Sequence, residues 1–141
     1  MKPKTSQAIL AFAAVALLAT YVFTRRPGSV NIKPGVSFEG LQTGVMDPVL
    51  DAAAKAAALF GKPAVVTSGT DHHHKRKQNS KHAHGHALDF RRIDRTVSTD
   101  GSVSFPDQAA ARYQARVIAD ELGPQYDVVL EGDHIHVEYD P

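Results

Sequence analysis

Cysteine is absent from the 141 residues of this chain. The absence excludes disulfide bonds, a cysteine nucleophile and zinc sites built from thiolates. It leaves the compartment open, because a domain without disulfides can work on either side of a membrane.

A dominant charge of one sign is also missing. The 16 Lys and Arg residues are balanced by 15 Asp and Glu residues, which gives a formal net charge of +1 with histidine neutral. This balance does not predict the broad positive surface with which a protein neutralises nucleic-acid phosphates. We therefore expect no nucleic-acid partner.

Histidine, by contrast, is frequent and unevenly placed. All eight histidines lie between His72 and His136. Histidine is the commonest metal ligand among side chains, so this concentration is a first indication of a metal site.

The longest apolar segment lies near the N-terminus. Residues 8–24 are almost all apolar, with two lysines before them and two arginines after them. A helix of this length covers roughly 25 Å, slightly less than a hydrocarbon core of about 30 Å. Two interpretations stay open, an uncleaved membrane anchor and a cleaved signal peptide with Ala14-Val15-Ala16 as the cleavage motif. The length favours the anchor, and the flanking charges favour export of the remaining chain.

Composition divides the chain into three parts. Residues 1–26 are the anchor or signal peptide, residues 27–40 form a linker rich in Gly and Pro, and residues 41–141 form the folded domain. Nothing in the sequence sets the oligomeric state.

Local signals predict two helices in the folded domain. Asp47 as N-cap and Pro48 at the first helical position open a helix that runs to Phe60, before Gly61. A second helix runs from about Asp107 to Leu122 and ends at Gly-Pro.

Alternating or β-branched segments predict four strands, the last two joined by the turn Glu131-Gly132-Asp133. Residues 70–81 are polar and predict a loop. The expected fold class is therefore α+β, a small and mostly antiparallel sheet packed with helices, preceded by one transmembrane helix. The predicted strands are Ala64–Thr67, His86–Arg91, Tyr126–Leu130 and His134–Tyr139.

Two of these strands carry polar groups on a face where hydrophobic residues would be ordinary. Asp89 lies on the face opposite Leu88 and Phe90, and His134 and His136 lie on one face of the last strand. His82 precedes the first of these strands, and its loop could fold it over the same face. Two neutral imidazoles and one carboxylate suit Zn²⁺, and three protein ligands leave a fourth position open, as in catalytic zinc sites.

The same residues carry a family resemblance. The stretch Ser80-x-His82-x-x-Gly85-x-Ala87-x-Asp89 and the later Asp133-x-x-His136 match two paired motifs in order and spacing. Together they resemble the zinc D-Ala-D-Ala carboxypeptidase family, whose relatives include phage endolysins and L-Ala-D-Glu endopeptidases of peptidoglycan. The Hedgehog signalling domain shares this zinc fold. The resemblance covers roughly residues 36–141.

The resemblance implies a role for six residues. His82, Asp89 and His136 would be the zinc ligands, and Asp133 the general base that takes a proton from the attacking water. His134 would hydrogen-bond the developing oxyanion. Arg76, with His74 as the second choice, would contact the substrate carbonyl or carboxylate.

The expected function is a zinc metallopeptidase that hydrolyses peptidoglycan stem peptides, as a carboxypeptidase or as an endopeptidase of the endolysin type. Its catalytic domain would be exported to the cell-wall side of the membrane, or lie at a virion membrane if a phage encodes it. Two alternatives stay open, a zinc-stabilised cell-wall-binding domain without activity, and a structural membrane or virion protein. Two roles also stay open for Glu138, which either hydrogen-bonds a ligand imidazole or forms a salt bridge with Arg91 or Arg92.

Overall fold

A computed structural model describes residues 28–71 and 80–141. Its main element is a five-stranded sheet in the order β1-β2-β3-β7-β6, and β4 and β5 form a separate hairpin. β1 and β2 are parallel, whereas the other three pairs of the large sheet are antiparallel. The strands are β1 (Val30–Ile32), β2 (Ala64–Ser68), β3 (Ala87–Arg91), β4 (Thr96–Val97), β5 (Val103–Ser104), β6 (Tyr126–Leu130) and β7 (His134–Tyr139).

Two helices, α1 (Thr43–Ala58) and α2 (Gln108–Leu122), pack against each other and against this sheet. Their buried side chains join those of β3 and β7 in one core. The predicted α+β class is confirmed, with a mixed sheet. The core side chains from the two central strands are Leu88, Phe90, Ile135 and Val137. Because side chains alternate along a strand, the other face of β3 and β7 is left for polar groups.

The second predicted helix is confirmed at both ends. The Asp107 carboxylate accepts a hydrogen bond of 3.0 Å from the Ala110 amide, so it caps the first turn of α2. Gly123 ends the helix with a φ of 82°, which glycine adopts without strain.

The predicted start of the first helix is wrong. α1 begins at Thr43, so Asp47 is not its N-cap and Pro48 lies inside the helix. A proline there removes one backbone hydrogen bond. The fully buried Met46 offsets this loss, since it packs in the core and its amide donates to the Gln42 carbonyl at 3.0 Å. Tertiary packing thus extends the helix beyond its local start signal.

The segment assigned to a linker, residues 27–40, contains the edge strand β1. Its register places Val30 beside Ala64 in a parallel pair, which local sequence cannot reveal. Among the described residues no helix is long and apolar enough to cross a membrane, and the hydrophobic N-terminal run lies outside them.

Candidate metal centre

The register of the sheet brings two of the predicted ligands together. Asp89 of β3 lies directly opposite His136 of β7, on the face away from the core. Side chains at such positions start about 5 Å apart. The Asp89 Oδ1 atom is 2.8 Å from the His136 Nδ1 atom, and the carboxylate is buried.

His82 reaches the same place from the turn before β3. Its Nδ1 atom is 2.9 Å from the Gly69 carbonyl oxygen, and because a carbonyl only accepts, Nδ1 carries the proton. The lone pair is therefore on Nε2, which lies 3.2 Å from both Asp89 Oδ1 and His136 Nδ1. The hydrogen bond to Gly69 selects the tautomer that a ligand needs.

Two glycines allow close packing on the loop that precedes α1. Gly85 belongs to the turn that carries His82, and Gly69 follows β2. A Cβ atom on Gly85 would lie 2.2 Å from the Gly40 carbonyl oxygen, and a Cβ atom on Gly69 would lie 2.3 Å from the Ser37 carbonyl oxygen. Gly85 also has a φ of 76°, which other residues rarely adopt. Neither position accepts a side chain without movement of the neighbouring backbone.

Two buried polar residues that support the site were missed by the sequence analysis, which placed them in a polar loop. Asp71 accepts hydrogen bonds from the Ser37 amide at 2.6 Å and from the Ser68 hydroxyl at 3.1 Å. The Thr70 hydroxyl donates to the Glu39 carbonyl at 2.6 Å. The Ser37 and Glu39 partners lie 34 and 31 positions away in the sequence, so no local signal could have identified these residues.

Of the two roles considered for Glu138, the structure shows the hydrogen bond to a predicted ligand. Its Oε2 atom is 3.0 Å from His136 Nε2, while Nδ1 of the same ring faces Asp89. Carboxylates often orient metal-binding imidazoles in this way. Glu138 thereby holds the ring with Nδ1 turned toward the other two candidate ligands.

The electrostatics of the three groups suit a bound cation. The hydrogen bond that His136 donates to Asp89 raises the pKa of His136 to about 9, against the opposing effect of burial and with help from Glu138. Burial alone would raise the pKa of Asp89, but the hydrogen bond from His136 and the nearby His82 and His134 rings hold it well below its usual range. The carboxylate is thus ionised, and the proton on His136 occupies the place that a metal would take.

The donor atoms of His82, Asp89 and His136 lie within 4.8 Å of one another, close enough to hold a metal ion. Metal bonds of 2.0–2.1 Å in a tetrahedral arrangement put ligand atoms about 3.3 Å apart. The observed separations of 2.8–3.2 Å come near this value, so small side-chain adjustments suffice.

Asp133 and His134 lie next to this group as a hydrogen-bonded pair. Asp133 Oδ1 is 2.6 Å from His134 Nδ1, and the other ring nitrogen of His134 is 3.6 Å from Asp89 Oδ1. His134 therefore faces the candidate ligands directly, whereas the exposed Asp133 carboxylate contacts them only through His134. Arg76, the third residue with a predicted catalytic role, lies outside the described residues.

Arg92, considered from the sequence only as a salt-bridge partner of Glu138, anchors the turn that carries Asp133. Its buried guanidinium pairs with Asp94 through two hydrogen bonds, of 3.0 and 2.8 Å. It also donates to the carbonyl oxygens of Glu131 at 3.3 Å and Gly132 at 2.8 Å. The position of the turn between β6 and β7 thus depends on the side chain of the residue that follows β3.

A groove of about 560 Å³ opens beside Asp89, one of the three candidate ligands. Its polar lining includes Asp89, Asp133 and His134, and Phe105 with Val103 adds apolar surface. A volume of this size is typical of ligand-binding pockets, and Asp89 joins the groove to the candidate metal group.

Comparison with known proteins leaves the family open. No family model matches the chain, and neither a curated protein nor a solved structure matches it.

Proposed function

We propose that this protein is a zinc peptidase that hydrolyses peptide bonds of bacterial peptidoglycan and resembles the D-Ala-D-Ala carboxypeptidase and L-Ala-D-Glu endopeptidase family. One observation carries the proposal. The three residues that the paired motifs mark as ligands converge, with donor atoms 2.8–3.2 Å apart, beside a groove lined by Asp133 and His134.

Zinc is the metal that this donor set favours. Two imidazole nitrogens and one carboxylate oxygen are usual zinc ligands, whereas Ca²⁺ and Mg²⁺ prefer all-oxygen sites. Hydrogen bonds to Gly69 and Glu138 orient both imidazoles, as is common around zinc. When bound, zinc lowers the pKa of water from about 15.7 toward 7 and polarises a carbonyl group.

The remaining polar groups supply proton transfer and charge stabilisation. Asp133 accepts the proton of the attacking water and passes it to the leaving amine. Because Asp133 lies 2.6 Å from His134 Nδ1, the two residues act as a coupled pair. His134 turns its other nitrogen toward the reacting carbonyl and, when doubly protonated, donates a hydrogen bond to the developing oxyanion.

We also propose that residues 1–26 anchor the protein to a membrane and that the catalytic domain is exported. The apolar run and its flanking basic residues support this proposal. An anchored protein stays in the membrane fraction through a carbonate wash with the hydrophobic run intact. A mature chain that begins after Ala16 or Ala19 would show cleavage of a signal peptide instead.

Digestion of purified peptidoglycan tests the function. The full-length chain in detergent, loaded with one equivalent of Zn²⁺, should release stem-peptide fragments that mass spectrometry can assign to one type of bond. EDTA should stop the release and lower the melting temperature, and added Zn²⁺ should restore both.

Two further results separate the alternatives. His82→Ala should lose zinc and activity together, because it removes a ligand. A wild-type protein that holds one equivalent of zinc and cleaves no wall substrate would favour the binding domain without activity. A protein whose metal content does not depend on His82 would contradict the candidate metal centre.

A further inference from the structure

The chain enters the described fold beside the C-terminal end of α1. A Cβ atom on Gly28 would lie 3.9 Å from the Ala58 Cβ atom, at the last residue of that helix. The Ser29 carbonyl oxygen then accepts a hydrogen bond of 2.9 Å from the Ala64 amide, at the start of β2. The residues before Gly28 therefore join the domain at this end of the helix layer.

Large apolar side chains are exposed at the same end. Leu59, the residue directly after α1, is 61 % exposed, and Tyr113 in α2 is 54 % exposed. The half-buried Phe60 links the two helices, since its ring centroid is 6.2 Å from that of Tyr113 in an edge-to-face arrangement. We call Leu59, Phe60 and Tyr113 the apolar face. Apolar groups that are exposed together, rather than singly, are a feature of interaction surfaces.

The surroundings of the apolar face are basic. Lys62 lies two residues after Phe60, Arg112 directly precedes Tyr113, and both basic residues are exposed. Neither of them forms an ion pair within the described part of the chain. The Asp107 carboxylate, which borders a cavity together with Phe60 and Lys62, is engaged in capping α2. An apolar surface with basic residues beside it is complementary to a bilayer with anionic headgroups.

The length of chain before Gly28 limits the distance between this end of the domain and the proposed anchor. The apolar run ends at residue 24, and two arginines follow it. Four residue intervals separate residue 24 from Gly28, and they span at most about 14 Å even when fully extended. A helix of 15 residues, such as α2, is itself roughly 22 Å long. An anchored run therefore holds the apolar face, and not the far end of the helices, at the lipid surface.

We propose that the apolar face docks on the surface of the bilayer that residues 8–24 cross, with Lys62 and Arg112 against anionic lipid headgroups. The inference rests on the proposed membrane anchor and adds a second contact with the same membrane. Tyrosine suits the headgroup level because its ring is apolar and its hydroxyl is polar. The docked end belongs to the helix layer, whereas the candidate metal group lies on the sheet face away from the core. Docking in this orientation leaves the metal group accessible to substrate.

Tryptophan fluorescence tests the inference, because the chain contains no tryptophan. Leu59→Trp in the full-length protein gives a single reporter on the apolar face, at an exposed position that accepts a larger ring. The variant is reconstituted in vesicles of phosphatidylethanolamine and phosphatidylglycerol, with and without bromine atoms on the acyl chains. Its emission should lie at the short wavelength of an apolar environment, and the brominated acyl chains should quench most of it.

Control variants locate the effect on the apolar face. Gln125→Trp places the reporter at an exposed residue beyond the opposite end of α2, where its emission should stay unquenched. Tyr113→Trp should be quenched like Leu59→Trp. Adding Leu59→Glu to Tyr113→Trp should remove most of that quenching, because a carboxylate opposes transfer into lipid. Replacing phosphatidylglycerol by phosphatidylcholine should weaken the quenching of Leu59→Trp, since the basic residues lose their anionic partners.

A carbonate wash of the same vesicles reads the anchor separately from the apolar face. Quenching of Leu59→Trp supports docking on the bilayer, whether or not the protein resists the wash. Protein that resists the wash while Leu59→Trp stays unquenched overturns the inference and leaves the anchor in place. A short-wavelength emission that brominated lipid does not quench also overturns it, because a second copy or another protein then covers the apolar face. Loss of both wash resistance and quenching rejects the anchor and the docking together.

Discussion

Replacement of Arg92 by methionine should destabilise the protein by about 3–5 kcal/mol, the usual cost when one partner of a buried ion pair is removed. The guanidinium side chain is only 1 % exposed, and all five of its N–H groups are used. Two bond to Asp94, two to the carbonyl oxygens of the β6–β7 turn and one to Gln108 at 3.1 Å. Methionine fills much of the volume but leaves the buried Asp94 charge with only the Asp107 amide as a donor.

This loss is large for a domain whose total stability is about 5–15 kcal/mol. At roughly 4 °C per kcal/mol it corresponds to a fall in melting temperature of about 12–20 °C. Urea denaturation of the zinc-loaded protein measures the free energy of unfolding, and peptide hydrolysis well below the melting temperature reports on the turn. We expect slower turnover even where the variant is fully folded, because the turn that carries Asp133 loses two anchors.

A matched control and a compensating variant make the test sharp. Arg116 forms an exposed pair with Asp120 at 3.7 Å, so Arg116→Met should cost less than about 0.5 kcal/mol. Adding Asp94→Leu to Arg92→Met should recover part of the lost stability, since no buried charge is then left unpaired. If Arg92→Met costs no more than Arg116→Met, the buried pair does not support the turn and the reasoning fails.

Three further predictions concern the site. Asp133→Asn should lower the rate of hydrolysis by about 10²- to 10⁴-fold with zinc content unchanged. His136→Ala should lose both hydrolysis and bound zinc. Near-wild-type turnover of the Asp133 variant would assign the base to another residue. The His136 pKa of about 9 lies above its unfolded value near 6.5, so in the metal-free protein this interaction stabilises the fold fully below pH 6.5 and is lost as the pH rises through 9. A metal competes with the same proton, so zinc affinity measured by calorimetry should rise about tenfold per pH unit up to about pH 9, and a constant affinity from pH 6 to 8 would contradict this. Gly85→Ala should destabilise the protein more than Gly35→Ala. Both glycines have a positive φ, but only at Gly85 would a Cβ atom lie 2.2 Å from a backbone oxygen. Equal losses of stability in the two variants would show that the neighbouring loop moves easily.

The mutual position of the candidate ligands could be foreseen only in part. Alternation along β7 indicated that His134 and His136 share a face, because Ile135 and Val137 supply the apolar side that a core requires. The distance between Asp89 and His136 depends on the β3–β7 register, which pairs residues 47 positions apart. Sequence spacing alone does not set that register.

Buried polar partners were the hardest feature to predict. Arg92 and Asp71 occur in polar stretches that look solvent-exposed, and both are buried because carbonyl oxygens, amides and hydroxyls from distant segments satisfy them. The tautomer of His82 likewise depends on Gly69, which the fold brings to its ring. Such contacts are tertiary, so no local pattern contains them.

The sequence by itself determined the capped ends of α2, the two faces of β7 and the residue types of the candidate metal group. These features depend on capping, alternation and ligand chemistry, which act over a few residues. Only the tertiary structure decided that α1 begins before Pro48 and that Lys33 joins Arg91 in one groove. The burial of Met46 offsets the hydrogen bond that Pro48 cannot make. The parallel pairing of β1 with β2 brings Lys33 to the edge of the site. In both cases the free energy of packing distant segments outweighs local preference.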